Sequence, residues 1–469
     1  MRKLVLTCLC LAAVGGPTLA GQPWEENTPA LGQAGADVSG HLTAEQLNHL
    51  TDIGQQLFTA RFTVEDGAGR PGATQAIVPT KRKHPVMNEF SRTAGIDANA
   101  CSSCHNLPFP GGAGDFTTNV FVSEGFESAD FDTTDPQFSD ERGTNSLFGD
   151  GLLELLAREM TTDLQKERTD AIALAAQTGK PQRVALSTKG VSYGWITAQP
   201  DGLVDMRELD GLDMDLVIRP FSQKGVMTSL RQFTINALNQ HHGMEPVERF
   251  GGRWTGTTDF DEDGHSDEVN DGDVSAMVAW QATLPAPVQQ VPSDPKWRQM
   301  ADDGEKLFGG MGCTSCHMES LPLNSLSFAD PGPEDMAGTL NVTQVKEPAV
   351  YDLSQRDWTK RLKRNDRGQV LVPLFGDLKR HTMTDNDIDQ LGNELIAQRF
   401  VDRNIFMTAE LWGVASTPPY GHRNDITTMD GVIRAHGGDG RKARDAYVNA
   451  SDEDRSKIIA FLKTLVIEQ

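Results

Sequence analysis

Two five-residue runs constrain this chain more than anything else in it: Cys101-Ser102-Ser103-Cys104-His105 and Cys313-Thr314-Ser315-Cys316-His317. C-x-x-C-H is the spacing of covalent c-type haem attachment. The two thiols add across the vinyl groups of the porphyrin, and the adjacent imidazole becomes the proximal ligand of the iron. Only the far axial position is then left for the fold to decide, and it separates an electron carrier from an enzyme. One such run could be a redox dithiol or half of a zinc site. Two runs, each with His directly after the second Cys, weigh against both. The predicted cofactors are two covalently bound haem c groups.

The remaining cysteines agree. There are six in all, and Cys8 and Cys10 fall in a stretch with the form of a signal peptide. Met1-Arg2-Lys3 is basic, Leu4 to Val14 is apolar, and Thr18-Leu19-Ala20 is a small-residue cleavage site before Gly21. The apolar stretch is too short for a membrane span. The other four cysteines all belong to the haem motifs, so none is left for a disulfide. Haem is attached to such motifs outside the cytoplasm, and the expected location is the periplasm of a Gram-negative-type cell. The formal charge of −23 argues against nucleic acid or an anionic membrane as partner. It is compatible with a positively charged redox partner, and equally with plain solubility.

With 469 residues the chain is too long for one core. Its pattern repeats. Gly54-Gln55-Gln56-Leu57-Phe58 closes a helix before the first motif, and Gly304-Glu305-Lys306-Leu307-Phe308 does so before the second. Thr43-Ala44-Glu45-Gln46 has capping-box form at the start of the earlier helix. A Pro-rich stretch from Leu284 to Pro295 reads as a linker. The predicted organisation is a leader (1–20), an N-terminal linker (21–39), a first haem domain (40–285), a linker (286–295) and a second haem domain (296–469). The two domains would be related by duplication. Helical periodicity marks Leu152 to Met160, Ser229 to Gln240 and Asp452 to Val466. Val191 to Met206, around Pro200-Asp201-Gly202, reads as a small hairpin within an insertion at about 161–218. The predicted fold is mainly α: two cytochrome c-like haem domains with a small β-hairpin insertion and long loops.

These segments resemble those of the bacterial di-haem cytochrome c peroxidase superfamily, and its di-haem oxidoreductase branch above all. The resemblance runs through Cys101 to Gly114, Ser146 to Glu154, Arg219-Pro220-Phe221, Ser229 to Met244, and Glu410 to Ala415 with Pro419-Tyr420-Gly421-His422. It implies a peroxidatic first haem with an open or openable iron face, and a second haem, with two protein ligands, that passes electrons. It implies hydrogen peroxide or a related oxidant as substrate and a small electron-donor cytochrome or cupredoxin as partner. The alternatives are an oxidase of a protein or organic substrate acting through high-valent iron, and a non-catalytic electron-transfer cytochrome.

The resemblance also assigns residues. The sixth ligand of the second haem falls on His436, where peroxidases carry a Met. That suggests two-His ligation and a lower potential. Met429 on the same helix is the alternative, and His436 as a plain helix-end histidine is another. His422 would orient a propionate or its loop, and His381 would support. At the first haem, peroxide cleavage needs a proton acceptor and a proton donor. The candidates are Gln232, His241 and His242 on one helix and Glu154 on another. His241 or His242 could instead close the iron as a sixth ligand, and each of these residues could be a surface group. Two departures stand out. Thr118-Asn119-Val120-Phe121-Val122 has no displaceable His, so the first haem could be open at rest. Phe221-Ser222-Gln223-Lys224-Gly225 lacks the Trp that usually lies between the haems, which puts the standard electron route in doubt.

One motif is independent of haem. Asp259-Phe260-Asp261-Glu262-Asp263-Gly264-His265-Ser266-Asp267 places oxygen ligands at loop positions 1, 3, 5 and 9, with Gly at 6 and the His265 backbone at 7. Where an EF-hand has Glu at position 12, this loop (259–270) has Asn270, with Glu268 nearby. It reads as a structural Ca²⁺ loop, or as an acidic solvated turn. The role of the peroxidases' interdomain calcium site is not carried over to it.

Overall fold

The computed structural model describes residues 31–35, 38–73, 79–81, 83–86, 89–92, 95–96, 98–119, 141–335, 338–392 and 401–468. The expected leader and residues 120–122 lie outside them. The fold is mainly α, with small sheets and long loops. Its helices are α1 (Ala44–Thr59), α2 (Asp150–Thr178), α3 (Leu230–His242), the single turns α4 (Val247–Phe250) and α5 (Gly252–Thr255), α6 (Asp271–Thr283), α7 (Pro295–Gly310), α8 (Met429–Arg434), α9 (Arg441–Asn449) and α10 (Asp452–Leu462). No helix among the described residues is long and apolar enough to cross a membrane.

Two helix pairs carry the architecture: α1 packs on α6, and α7 packs on α10. The sequence repeat explains how. α1 starts on the expected Thr43/Gln46 capping box and buries Leu47, Leu50, Ile53 and Leu57 on one stripe. α7 starts on Asp294, with Pro295 at its first position. Gly54 of α1 lies against the backbone of α6, where a Cβ would sit 2.0 Å from the Ala276 carbonyl oxygen. Gly304 of α7 lies against α10, where a Cβ would sit 1.9 Å from the Lys457 carbonyl oxygen. The two glycines of the repeat thus mark the same event, a crossing too close for any side chain. Four residues on, Phe58 and Phe308 reach the motif histidines, with ring centroids 6.0 Å from His105 and 6.3 Å from His317.

Other elements depart from the sequence reading. α2 does not stop near Met160 but runs to Thr178 and ends on left-handed Gly179. Residues 161–178 contain no Gly or Pro, so nothing breaks the helix once its first half is buried. The expected hairpin is present as strands Val191–Ala198 and Val204–Leu209. A third strand, Gln182–Thr188, pairs with the first of them to form a three-stranded meander. α10 ends at Leu462, and Leu465–Val466 form a strand with Val288–Gln289 of the Pro-rich stretch.

The Pro-rich stretch does not divide the core. Leu321, Leu323, Phe328, Tyr351, Val370, Val372 and Leu374 share one apolar cluster with Leu152, Leu156 and Met160 of α2. Gly40–His41 pairs with a strand of the second half, Ala349–Asp352. Buried Arg231 of α3 bonds Glu248 at 3.1 Å and Asp330 at 2.7 Å, tying the halves through charge as well. Around α7, α8 and α10 a second cluster forms from Phe308, Phe375, Tyr447, Ile458 and Phe461.

Candidate functional site

Each C-x-x-C-H run begins as a short 3₁₀ turn, Cys101–Ser103 and Cys313–Ser315. In both, the amide of the His bonds the carbonyl of the first Cys at 3.0 Å. The His side chains are held alike. His105 Nδ1 lies 2.9 Å from the Asn145 carbonyl oxygen, and His317 Nδ1 lies 3.1 Å from that of Phe375. With Nδ1 donating, Nε2 carries the free lone pair that a metal requires. Burial keeps both rings neutral, pushing each down to about 4. All four thiols are free. The donor set, two thiols and one oriented imidazole per site, fits haem c twice.

The second site has a second imidazole. His436, at the end of α8, has Nδ1 2.8 Å from the Val432 carbonyl oxygen and is likewise kept neutral by burial. Its ring lies across from His317 with centroids 6.5 Å apart. Two imidazoles on opposite sides of one metal, each bonded at about 2 Å, have centroids about 6 Å apart. The pair therefore fits an ion held between two histidines. Both rings line a cavity of about 560 Å³, together with Met429, the alternative ligand. That volume lies within the range of cofactor pockets.

The first site differs. Among the described residues no second imidazole pairs with His105; the rings recorded beside it are Phe58 and Phe233. Its cavity is smaller, about 150 Å³, and is lined by Cys101, Cys104, His105, Phe233, Ala237, His241 and His242 among others. The two adjacent histidines are used differently. His242 is committed to the attachment turn: Nδ1 lies 2.7 Å from the Ala98 carbonyl oxygen and Nε2 lies 3.4 Å from Cys101 Sγ. His241 is half-buried on the cavity wall.

Gln232 and Glu154 are not brought to either cavity. The Gln232 side chain turns back to accept from the Thr228 amide at 2.8 Å, closing the first turn of α3. Glu154 is buried, pairs with Arg158 and accepts from the Leu230 amide at 2.8 Å. It therefore holds the start of α3 against α2. Burial pushes its carboxyl up to about 7 despite Arg158, with Asp335 adding to the rise.

Two other histidines lie beside the larger cavity. His381 lies 2.8 Å from Asp377 and 3.9 Å from Cys316 Sγ, so each site has a histidine against one attachment sulfur. Burial opposes charge on His381, but the bonds to Asp377 and Cys316 outweigh it and raise the ring to about 10. A thioether at Cys316 would leave only the Asp377 contribution. His422 lines the larger cavity, stacks on Phe406 at 3.5 Å, and has Nδ1 2.9 Å from the Leu391 carbonyl oxygen. Its own carbonyl accepts from the Gly143 amide at 2.7 Å, so it fastens the second site's loop to the first site's strand.

The sequence reading missed the carboxyl pair Asp150 and Glu410 on the wall of the larger cavity. Burial and their mutual repulsion raise Asp150 well above its usual range, and burial raises Glu410 to about 7. It also missed Trp412 on the same wall, packed against left-handed Gly149, where a Cβ would lie 2.5 Å from the indole.

At the acidic loop, Asp259, Asp261 and Asp263 cluster as expected. Asp267 is exposed, adopts a left-handed backbone (φ 53°) and stays outside the carboxylate groups. His265 gives its amide to Asp263 at 2.7 Å.

No protein-family model matches the chain, and no curated protein matches it. Among solved structures it is similar to one described as a "MauG-like protein associated with microbial copper homeostasis", at 17 % identity and a TM-score of 0.27, over 58 % of this chain and 78 % of that one. A likeness this distant assigns no role to any residue.

Proposed function

We propose that this chain is a periplasmic di-haem c-type oxidoreductase that reduces hydrogen peroxide at the Cys101/Cys104/His105 site, with electrons delivered through the Cys313/Cys316/His317 site. The observation that carries this reading is the asymmetry of two otherwise matched sites. His317 faces His436, whereas His105 faces no second imidazole among the described residues. When bound, a haem with two protein ligands supplies electron transfer, and one with a free iron face supplies peroxide chemistry.

The chain's own residues then have separable tasks. The Asn145 and Phe375 carbonyls fix the two proximal rings. His436 would be the second protein ligand of a haem held at His317. Phe233, Ala237 and Leu238 make the first cavity apolar and limit water. His241, on that cavity's wall, would be the residue that accepts and returns a proton during peroxide reduction. His242, held at Cys101, positions the attachment turn. Trp412 offers an indole where residues 221–225 have no tryptophan. The acidic surface suits a basic face on a small donor cytochrome or cupredoxin.

The test is rapid mixing of the half-reduced haem-loaded protein with hydrogen peroxide. Fast oxidation followed by turnover with an electron donor is expected. His241→Gln should slow the peroxide step by about 10²-fold or more, and His242→Gln should slow it far less. No reaction, with both haems low-spin throughout, would leave an electron carrier and overturn the reading.

A further inference from the structure

The loop between α5 and α6 gathers more carboxylates than its described neighbours neutralise. The amides of Asp263, Gly264 and His265 each bond one aspartate of the loop: Asp261 Oδ1 at 3.3 Å, Asp259 Oδ2 at 3.2 Å and Asp263 Oδ1 at 2.7 Å. These bonds turn the three carboxylates inward. Gly264 provides the left-handed turn (φ 99°) that the reversal needs. The opposite oxygens of Asp259 and Asp261 are buried with no hydrogen-bond partner. Two further carboxylates come from outside the aspartate triplet. Glu268 Oε2 accepts from the Glu245 amide at 2.5 Å, which brings Glu245 alongside. Glu245 Oε1 and Glu268 Oε1 are also buried and unpartnered.

Asp261 is 0 % exposed and Glu245 is 5 % exposed. A carboxylate left without a partner at that depth is costly, and several together are more so. The strongest charges acting on Asp261 are those of Asp263 and Asp259; those acting on Glu268 are Glu245, Asp261 and Asp263. Lys81, which packs against the loop, is paired with exposed Glu262. Five carboxyl groups gathered in this way call for a cation among them.

Geometry narrows the class. Ligand oxygens of Asp259, Asp261 and Asp263 lie within 4.8 Å of one another, as do those of Glu245, Asp261 and Glu268. Oxygens sharing one Ca²⁺ at 2.3–2.6 Å can be at most about 5 Å apart. The set is all oxygen, with no thiol or imidazole, which suits a hard cation. A many-carboxylate set on a loop suits Ca²⁺ better than Mg²⁺, which prefers to keep its waters.

We propose that Asp259, Asp261, Asp263, Glu245 and Glu268 form a calcium site in which Asp261 is the ligand common to both groups. The site differs from the linear loop motif: Asp267 drops out, and Glu268 and Glu245 enter. Its position gives it a consequence. Glu245 follows His242 by three residues, and the loop leads into α6, which supplies Met277 and Gln281 to the wall of the first cavity. The Val247 amide bonds the Val269 carbonyl at 3.0 Å in the same junction. A bound ion would lock the end of α3 to the start of α6, two walls of one pocket.

The experiment uses the full-length haem-loaded protein, stripped with EGTA and desalted. Calcium chloride is titrated by calorimetry, and thermal unfolding is followed with and without it. One calcium per chain, magnesium at least 100-fold weaker, and a midpoint raised by about 3 °C or more with calcium are expected. Asp261→Asn should abolish the heat and the shift. If that variant fails to fold, Glu268→Gln should weaken calcium at least tenfold. No heat and no shift in the wild type, equal binding of magnesium, or wild-type affinity in Glu268→Gln would overturn the proposal.

Discussion

The paired glycines give the sharpest test of the packing. Gly304→Ala places a methyl 1.9 Å from the Lys457 carbonyl oxygen, 2.5 Å from its carbon and 3.0 Å from the Ile458 nitrogen. A carbon meets a carbonyl oxygen no closer than about 3.3 Å, so α7 and α10 must separate by more than an ångström. The obstacle is backbone, which cannot rotate away as a side chain can. Overpacking of this kind costs about 1–3 kcal/mol, sometimes more, and α7 would also loosen its grip through Phe308 on Phe461, now 5.5 Å apart. Against that, alanine in a helix gains about 1 kcal/mol over glycine. Because the clash is with backbone the cost takes the upper end of that range, and a net loss of about 2 kcal/mol follows, read by urea unfolding under circular dichroism at equal haem loading. Gly54→Ala, 2.0 Å from the Ala276 carbonyl oxygen, should behave alike. Gly310→Ala, at the end of α7 with nothing within 4 Å, is the control and should change stability by no more than about 0.5 kcal/mol. If Gly304→Ala and Gly310→Ala unfold together, the close crossing does not exist in solution.

Three other outcomes follow from particular contacts. His436→Ala removes one of the two facing imidazoles, so electron paramagnetic resonance of the oxidised protein should lose the low-spin signal of one haem only; an unchanged spectrum would rule His436 out as ligand. Arg231→Met leaves Glu248 and Asp330 buried without their cation, and should cost about 3–5 kcal/mol in urea unfolding; a loss under 1 kcal/mol would show the network to be open to water. Glu154 has its folded carboxyl raised from 4.5 to about 7 by burial, so the folded chain holds the extra proton between those values. Its contribution to stability is therefore greatest below pH 4.5 and falls by about 3 kcal/mol as pH rises to 7; Glu154→Gln should flatten that slope, and an unflattened slope would place the titration elsewhere.

Much of this was legible because it is local. The C-x-x-C-H spacing is covalent chemistry, the α1 cap is a four-residue pattern, and the glycine-to-phenylalanine repeat encodes one crossing and one aromatic contact. What failed depends on distance or direction. Glu154 and Gln232 look like acid–base candidates because a helical sequence does not say what a carboxyl or amide will meet; here each meets the backbone at the start of α3. His241 and His242 are adjacent, and neighbouring residues on a helix point about 100° apart. Both line the cavity, but only one of them is bonded to Cys101, and periodicity does not say which. The acidic loop could be read, but Glu245 joins it only through the fold. The shared core was hidden for the same reason: residues 321–374 pack on α2 across more than 150 positions of sequence, a distance at which periodicity says nothing about partners.

The electron route shows how such long-range placement changes a functional expectation. Residues 221–225 carry no tryptophan, and on sequence alone the path between the haems looks broken. Under the proposed function, Trp412 from the other half of the chain would take that place. Asn145, whose carbonyl holds His105, begins a segment that reaches Gly149 in four residues, and the indole of Trp412 rests on Gly149. Trp412 in turn shares a cavity wall with His317 and with Asn145 itself. Any side chain at position 149 would push the indole away, so the glycine and the tryptophan form one device built from both halves. A shared core is what such a device requires. If the halves packed as separate domains about a flexible linker, the indole and the Asn145 segment would drift apart with every hinge motion. The Arg231 network, the Gly143–His422 bond and the cluster around α2 hold the two halves together, and the proposed electron route would depend on that fixed placement.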